Sequence, residues 1–356
     1  MTEGLVTKLL DLSSFSSHPR SVRMGETELC FPQLFNTSCW KPKRPLSETV
    51  LINSLLSFIS LLTASLNLLV IISISHFKQL HTPTNLLLLS LAVSDFFVGL
   101  NMTFMIILTN GCWFLGDLVC ALYGVLTYLI TSASVGTMVL ISVDRYVAIC
   151  DPLHYSTKVT VTRVSVCISL CWAFSFLYNS LILKDNFKNP GRYNSCYGEC
   201  VVIINYTVGV VDLFLTFIGP FTVIIVMYMR VFVVAVSQAR AMRSQIKTFQ
   251  GSVTVHVKSS ELKAAKTLGG VVLAFLICCS PFYITSLVNL SSSPGLTSIA
   301  IESWFFYLNS CLNPMIYAFC YPWFLKSVKL IVTCKILKPD SSDISILKTF
   351  PEQWLI

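Results

Sequence analysis

Apolar residues run through this chain in stretches too long and too continuous for the core of a soluble protein. Seven of them, at roughly 50–75, 84–108, 117–149, 162–183, 202–236, 262–288 and 297–320, reach the roughly 20 residues that a helix needs to cross a bilayer. A shorter amphipathic piece follows near 322–333. The pattern predicts an all-α membrane protein, a seven-transmembrane helix bundle with a short amphipathic helix 8. Residues 1–48 then form an N-terminal tail, 49–321 the bundle, and 322–356 helix 8 and a second tail.

Composition supports water being only a minor solvent. Hydrophobic residues make up 54% and charged residues 12% of the chain, about half the charged share of a soluble globular protein. The 356 residues are therefore read as one membrane domain rather than about two soluble ones. Seven spans place the termini on opposite sides. With the N-terminus outside, 16 of the 25 Lys and Arg fall on the cytoplasmic side, and nine, including the Lys41-Pro-Lys-Arg44 run, fall outside. The positive-inside tendency thus points to an extracellular N-terminus. The net charge of +8 lies beside the spans, where basic residues anchor helices and meet anionic lipid, so membrane lipid and not nucleic acid is the expected partner. Residues 1–23 lack the apolar core of a cleavable signal, leaving the first span as the targeting signal.

Of the 14 cysteines, Cys150, Cys167, Cys171, Cys278, Cys279, Cys311 and Cys320 lie in or at the ends of spans, as small buried hydrophobes do. Cys30, Cys39, Cys112, Cys120, Cys196 and Cys200 fall in segments assigned outside, where bridges persist. Their connectivity does not follow from spacing. Cys334, just past the amphipathic piece, is a candidate for palmitoylation, against a free thiol. Four N-x-Ser/Thr sequons occur, and Asn36 is the best glycosylation candidate. Asn101 falls inside a span, and Asn205 and Asn289 lie close to the outer interface.

An ionisable side chain in hydrocarbon costs at least about 2.5 kcal/mol, which makes each one a functional candidate. Asp95 sits mid-span in Leu91-Ala-Val-Ser-Asp95, and Asp212 about ten residues into the fifth span. In the outer half of the membrane, Asp212 can face a pocket open to the exterior and pair with a cationic ligand. The competing assignment is an internal pair with Lys184 or Arg192. Asp95 is deeper and keeps polar company in Asn67, Ser134, Asn309, Ser310 and Asn313. Oxygen ligands of this kind suit a hard cation, so a hydrated network binding sodium is expected there, against simple helix-to-helix bonding.

Enzyme chemistry is not expected. The two Asp residues differ in depth and do not make a carboxylate dyad. All five His fall outside the apolar spans, and no His-Glu-x-x-His occurs. A transporter would show internal repeats with broken helices at matching positions, and no such symmetry is visible.

Asp144-Arg145-Tyr146 closes the third span, Trp172 sits in the fourth, Pro220 in the fifth, Pro281 in the sixth, and Asn313-Pro314-Met-Ile-Tyr317 ends the seventh. Together, over about residues 45 to 335, these resemble the rhodopsin-like G-protein-coupled receptors. Asn309-Ser310-Cys-Leu-Asn313-Pro314-Met-Ile-Tyr317-Ala-Phe-Cys-Tyr321-Pro-Trp323-Phe324 is similar, within that class, to the helix-seven fingerprint of the trace amine-associated receptors. The resemblance implies a receptor for small amines, olfactory, coupled to a stimulatory G protein and cyclic AMP. It implies bridges from Cys120 to Cys200 and from Cys30, rather than Cys39, to Cys196. The family's short N-terminus also suggests Met24 as the start, with residues 1–23 a gene-model extension.

Two departures stand out. Aminergic receptors carry an Asp eighteen residues before the Arg of Asp-Arg-Tyr to hold the ligand ammonium, and here that position is Thr127. The family's helix-six Trp, two residues before the Pro, is Cys279. Some fish-type members carry a helix-five Asp matching Asp212, so the resemblance implies Asp212 as substitute anchor. Thr127, Tyr128, Thr131, Phe282, Tyr283, Trp304 and Tyr307 are then the expected pocket, the aromatic rings giving cation-π support. At the signalling end, Arg145 is expected to pair with Asp144 and Glu261, with Tyr228 and Tyr317 stabilising the open form. A receptor for a non-amine ligand is the alternative, and a transporter the more distant one.

Overall fold

A computed structural model of the chain describes residues 27–246, 269–270, 272–281, 307–318, 321–339 and 341–346. Its main elements are helices α1 (Leu46–His76), α2 (Pro83–Thr109), α3 (Asp117–Cys150) and α4 (Val161–Ile182). Helix α5 runs from Tyr206–Leu213 through a wide π-turn at Phe214–Ile218 into Gly219–Ile246. Short helices α6 (Val272–Pro281) and α7 (Tyr307–Ala318) belong to the sixth and seventh spans, and α8 is Pro322–Val332. Among the described residues, five helices are long and apolar enough to cross a bilayer.

Local chemistry sets where these helices begin. Thr82 and Thr160 accept from the backbone N–H groups of Asn85 and Arg163, each at 3.3 Å, capping α2 and α4. Pro83 at the start of α2 has no N–H to leave unpaired. The π-turn in α5 has a similar origin. Pro220 cannot donate to the carbonyl one turn back, and the Gly219 N–H instead reaches the carbonyl of Phe214, five residues away.

The bundle carries many polar side chains inside and large apolar ones outside. Ser60, Thr63, Asn67, Ser90, Ser94, Asp95, Asn101 and Asn179 are buried, whereas Phe58, Leu61, Leu170, Phe174, Leu177 and Leu181 are exposed. Water would reverse that order, and lipid tolerates it. Small residues bring the helices close. A Cβ on Gly99 would lie 2.8 Å from the backbone nitrogen of Ala64, and one on Gly136 would run into the Cys171 sulfur. Ser60 donates to the Gly99 carbonyl at 2.7 Å, and Trp172 Nε1 to Ser90 Oγ at 3.0 Å.

On the N-terminal face, strand β1 (Thr27–Leu29) pairs antiparallel with β2 (Trp40–Pro42), and this hairpin is stapled to the loops. Cys30 bonds to Cys112, Cys39 to Cys196 and Cys120 to Cys200. The last pair is the one expected, but the Cys30–Cys196 bridge is not formed. The reason is backbone register: Cys39 N–H donates to the Tyr197 carbonyl at 3.0 Å, which sets Cys39 beside Cys196. Cys30, directly opposite Cys39 across the hairpin, donates its N–H to the Cys39 carbonyl at 2.9 Å, and its sulfur lies against Gly111, next to Cys112.

At the opposite end, the chain bends by 99° between α7 and the residues from Trp323 onward, so α8 leaves the bundle at a steep angle. The segment 341–346 then returns to the α1–α2 loop. Lys78 pairs with Asp343 at 3.1 Å, His76 lies 3.0 Å from Ser341 Oγ, and Ile346 is buried. Ser341 is buried in this contact.

Candidate functional site

Asp212 lies in the first segment of α5, two residues before the π-turn, and is partly buried. The Tyr178 hydroxyl of α4 donates to its Oδ1 at 3.0 Å. No Lys or Arg among the described residues pairs with it, so the alternative of an internal pair with Lys184 or Arg192 is not formed. Tyr178 was not singled out by sequence, since nothing marks one aromatic among several on a lipid-exposed helix as a carboxylate partner.

Thr127, in place of the helix-three acid, sits in a neutral hydrogen-bonded cluster. Asn101 Nδ2 donates to Thr127 Oγ1 at 2.7 Å, and Thr127 donates onward to the Tyr123 carbonyl at 2.8 Å. Tyr123 and Tyr307 lie beside each other, joining α3 to α7. Thr131 donates to the Thr127 carbonyl at 2.8 Å, and Tyr128 is half-buried. A hydroxyl here hydrogen-bonds but supplies no charge to an ammonium. Phe282, Tyr283 and Trp304 lie outside the described residues.

Asp95 is fully buried. Asn313 Nδ2 donates to its Oδ2 at 2.8 Å, and the Ser310 side chain bonds it too. Asn67 Nδ2 donates to the Ser310 carbonyl at 3.0 Å, which ties α1 to α7 around the same point. Oδ1 of Asp95, Asn67, Asn309 and Asn313 are all buried with no hydrogen-bond partner among the described residues. This donor set is oxygen with one carboxylate, which fits a hard monovalent cation or water. Ser134 is buried on α3, but no described hydrogen bond connects it to Asp95.

At the other end of α3, Arg145 is held inward. Its Nε donates to Asp144 Oδ2 at 2.9 Å, and Nη2 bonds the same carboxylate and Thr84 Oγ1. Thr84 donates to Asp144 Oδ2 at 3.1 Å, and the Tyr155 hydroxyl, from the short helix Tyr155–Lys158, donates to Oδ1 at 2.8 Å. Burial first, and the Asp144 charge second, push the Tyr155 phenol above its ordinary 10.0. The Asp144–Arg145 pair is as expected, whereas Thr84 lies in the first turn of α2 and Tyr155 in a four-residue helix, and only the folded chain brings them in. Tyr146 packs with Ile149 and Val231. Tyr228 and Tyr317 line the core near this end, Tyr317 fully buried, and Pro314 lies within α7. Glu261 lies outside the described residues. Cys279 is buried in the core cluster that also holds Phe221 and Phe275, themselves 5.2 Å apart.

Comparison with known proteins agrees with this geometry. Residues 66–317 match the family described as 7 transmembrane receptor (rhodopsin family). Trace amine-associated receptor 13c of Danio rerio is 38% identical over 346 residues, covering 95% of this chain and 99% of its own. Trace amine-associated receptor 8a of Rattus norvegicus is 36% identical, with 94% and 98% covered. Trace amine-associated receptor 1 of Macaca mulatta is 37% identical, with 87% and 95% covered. These are receptors rather than enzymes. The chain is therefore a multi-pass membrane protein that belongs to the rhodopsin family of seven-transmembrane G-protein-coupled receptors and, within it, to the trace amine-associated receptors.

Proposed function

We propose that this chain is a plasma-membrane receptor, N-terminus outside, gated by small amines that bind Asp212. The observation that carries the reading is the partly buried Asp212 carboxylate, which has a neutral tyrosine and no cation as its described side-chain partner. An ammonium at about 4 Å from a carboxylate gains about 4 kcal/mol at an effective dielectric of 20, part of which offsets desolvation. The relatives' names as trace amine-associated receptors support the amine class. The three disulfides on the N-terminal face support an extracellular position for it, and exposed Asn36 in the same hairpin region is the glycosylation site of this reading.

Agonist binding releases Arg145, and the opened cleft admits a stimulatory G protein that raises cyclic AMP. An agonist drives this step only through tighter binding to the open state. An olfactory role belongs to the same proposal. Sodium is the proposed occupant of the Asp95, Asn67, Asn309, Ser310 and Asn313 cluster, where its charge would be offset by Asp95.

The test is cyclic AMP accumulation in cells expressing the chain, against primary, tertiary and di-amines, beside Asp212→Ala. An amine response lost in the variant upholds the anchor. A second reading, a neutral ligand, is favoured by the uncharged Thr127 cluster. Agonism that survives Asp212→Ala, or a response to neutral compounds alone, would select it.

A further inference from the structure

The tail beyond α8 folds back onto the end of the bundle that carries Arg145. Cys334 ends α8 with a left-handed backbone, φ 53°, which reverses the chain. The Ser341 hydroxyl closes the turn by donating to the Ile336 carbonyl at 2.6 Å. A hydroxyl has one hydrogen, so His76 Nε2, 3.0 Å away, is the donor in the contact between them. Ile346 is then read on three sides. Gln79 Oε1 accepts its N–H at 3.2 Å, Lys326 Nζ donates to its carbonyl at 3.2 Å, and its side chain is buried in the core cluster that holds Leu80 and Trp323. Lys78 pairs with Asp343, three residues earlier, at 3.1 Å.

Magnitude separates these contacts. The ion pair is exposed at both ends, so it sets register more than it binds. A buried Ile shifts a docking equilibrium by about tenfold or more, and is the anchor. Gln79 belongs to the α1–α2 loop and Lys326 to α8, so Ile346 ties together two segments far apart in the chain. Trp323 lies 5.7 Å from Tyr321, and Tyr321 6.3 Å from Tyr317 of α7, ring to ring. A shift of α7 against α1 and α2 would therefore carry Lys326 away from Gln79 and uncover Ile346. The tie is closed in the same structure that holds Arg145 on Asp144, and a contact made in one state and lost in another stabilises the first. We propose that the groove between the α1–α2 loop and α8 is a docking site for the chain's own residues 341–346, anchored by Ile346, and that the docked tail restrains the receptor in its closed state. The proposal rests on membership of the receptor family and is independent of Asp212 and of the ligand.

The first arm tests docking in permeabilised cells expressing the full chain. A carbodiimide joins a carboxylate to an amine only where the two already touch, and peptide mapping should recover Lys78 joined to Asp343 in wild type. Ile346→Asp keeps both reacting groups, removes the anchor and should abolish that product. Gln79→Ala, on the groove side, should reduce it, which keeps the test valid if Ile346→Asp fails to reach the surface. The second arm reads ligand-free G-protein dissociation per surface receptor, across all Gα classes. It should rise about tenfold in Ile346→Asp and about threefold in Gln79→Ala, the scales of a buried aliphatic side chain and of one hydrogen bond. Ile346→Val keeps most of the apolar surface and should lie near wild type in both arms. Absence of the Lys78–Asp343 product in wild type, or a product unchanged in both Ile346→Asp and Gln79→Ala, overturns the docking site. A product lost while ligand-free dissociation stays at the wild-type level, with Asp144→Asn raising it, overturns the restraint. Dissociation unmoved in Asp144→Asn as well overturns the restraint together with the closed cluster around Arg145.

Discussion

Tyr155→Phe removes one hydroxyl from the cluster that holds Arg145 inward and leaves the ring in place. Its hydrogen bond to Asp144 Oδ1 spans 2.8 Å and ends on a carboxylate. Because Tyr155 is only partly buried, about 1 kcal/mol is a fair net value for that bond. If it forms in the closed state alone, the open-to-closed ratio rises about fivefold, since about 1.4 kcal/mol is a factor of ten. Asp144→Asn acts on the same cluster more strongly. It leaves the buried Arg145 guanidinium without its ion partner, a loss of about 3 kcal/mol or more, enough to take an open state populated at about 1% to roughly half. The assay is ligand-free G-protein activation per surface receptor. The two changes are coupled through one carboxylate, so Tyr155→Phe should add little in the Asp144→Asn background. Basal signalling equal to wild type in Tyr155→Phe but raised in Asp144→Asn would remove the loop hydroxyl from the lock. Basal signalling unchanged in both would refute the closed cluster itself.

Gly99→Ala should lower surface expression and thermal stability by about 1–3 kcal/mol, because its Cβ would press on the Ala64 backbone. Gly270→Ala, where none of the described residues lies within 4 Å of the added Cβ, is the matched control. Peptide mapping of unreduced protein should recover Cys30 joined to Cys112 and Cys39 joined to Cys196. Recovery of a Cys30–Cys196 peptide would contradict the hairpin register. Asp95→Asn should abolish any effect of sodium, relative to a large organic cation, on agonist potency, while a sodium effect that persists would place the ion elsewhere.

Much of the molecule was already legible in the amino-acid order. Hydrophobic length alone places the first four helices to within a few residues, because a bilayer demands that length, and the starts of α2 and α4 carry their own threonine caps. Asp95 and Asp212 stood out because charge inside apolar sequence is costly wherever it occurs, and Asp144 and Arg145 through the resemblance of Asp144-Arg145-Tyr146 to the motif of the rhodopsin-like receptors. Their partners did not. Tyr178, Thr84 and Tyr155 are ordinary residues until helix packing and a loop turn bring their hydroxyls within 3.1 Å of a carboxylate. The cysteines show the same division. Their side of the membrane follows from span counting, but Cys39 rather than Cys30 reaches Cys196 because a β-hairpin sets the register, and register depends on pairing between distant segments. The direction of Asp212 depends likewise on the π-turn after it, where one missing N–H at Pro220 re-phases the helix. Composition and spacing act locally and can be read along the chain, whereas a contact between side chains exists only once the chain has folded.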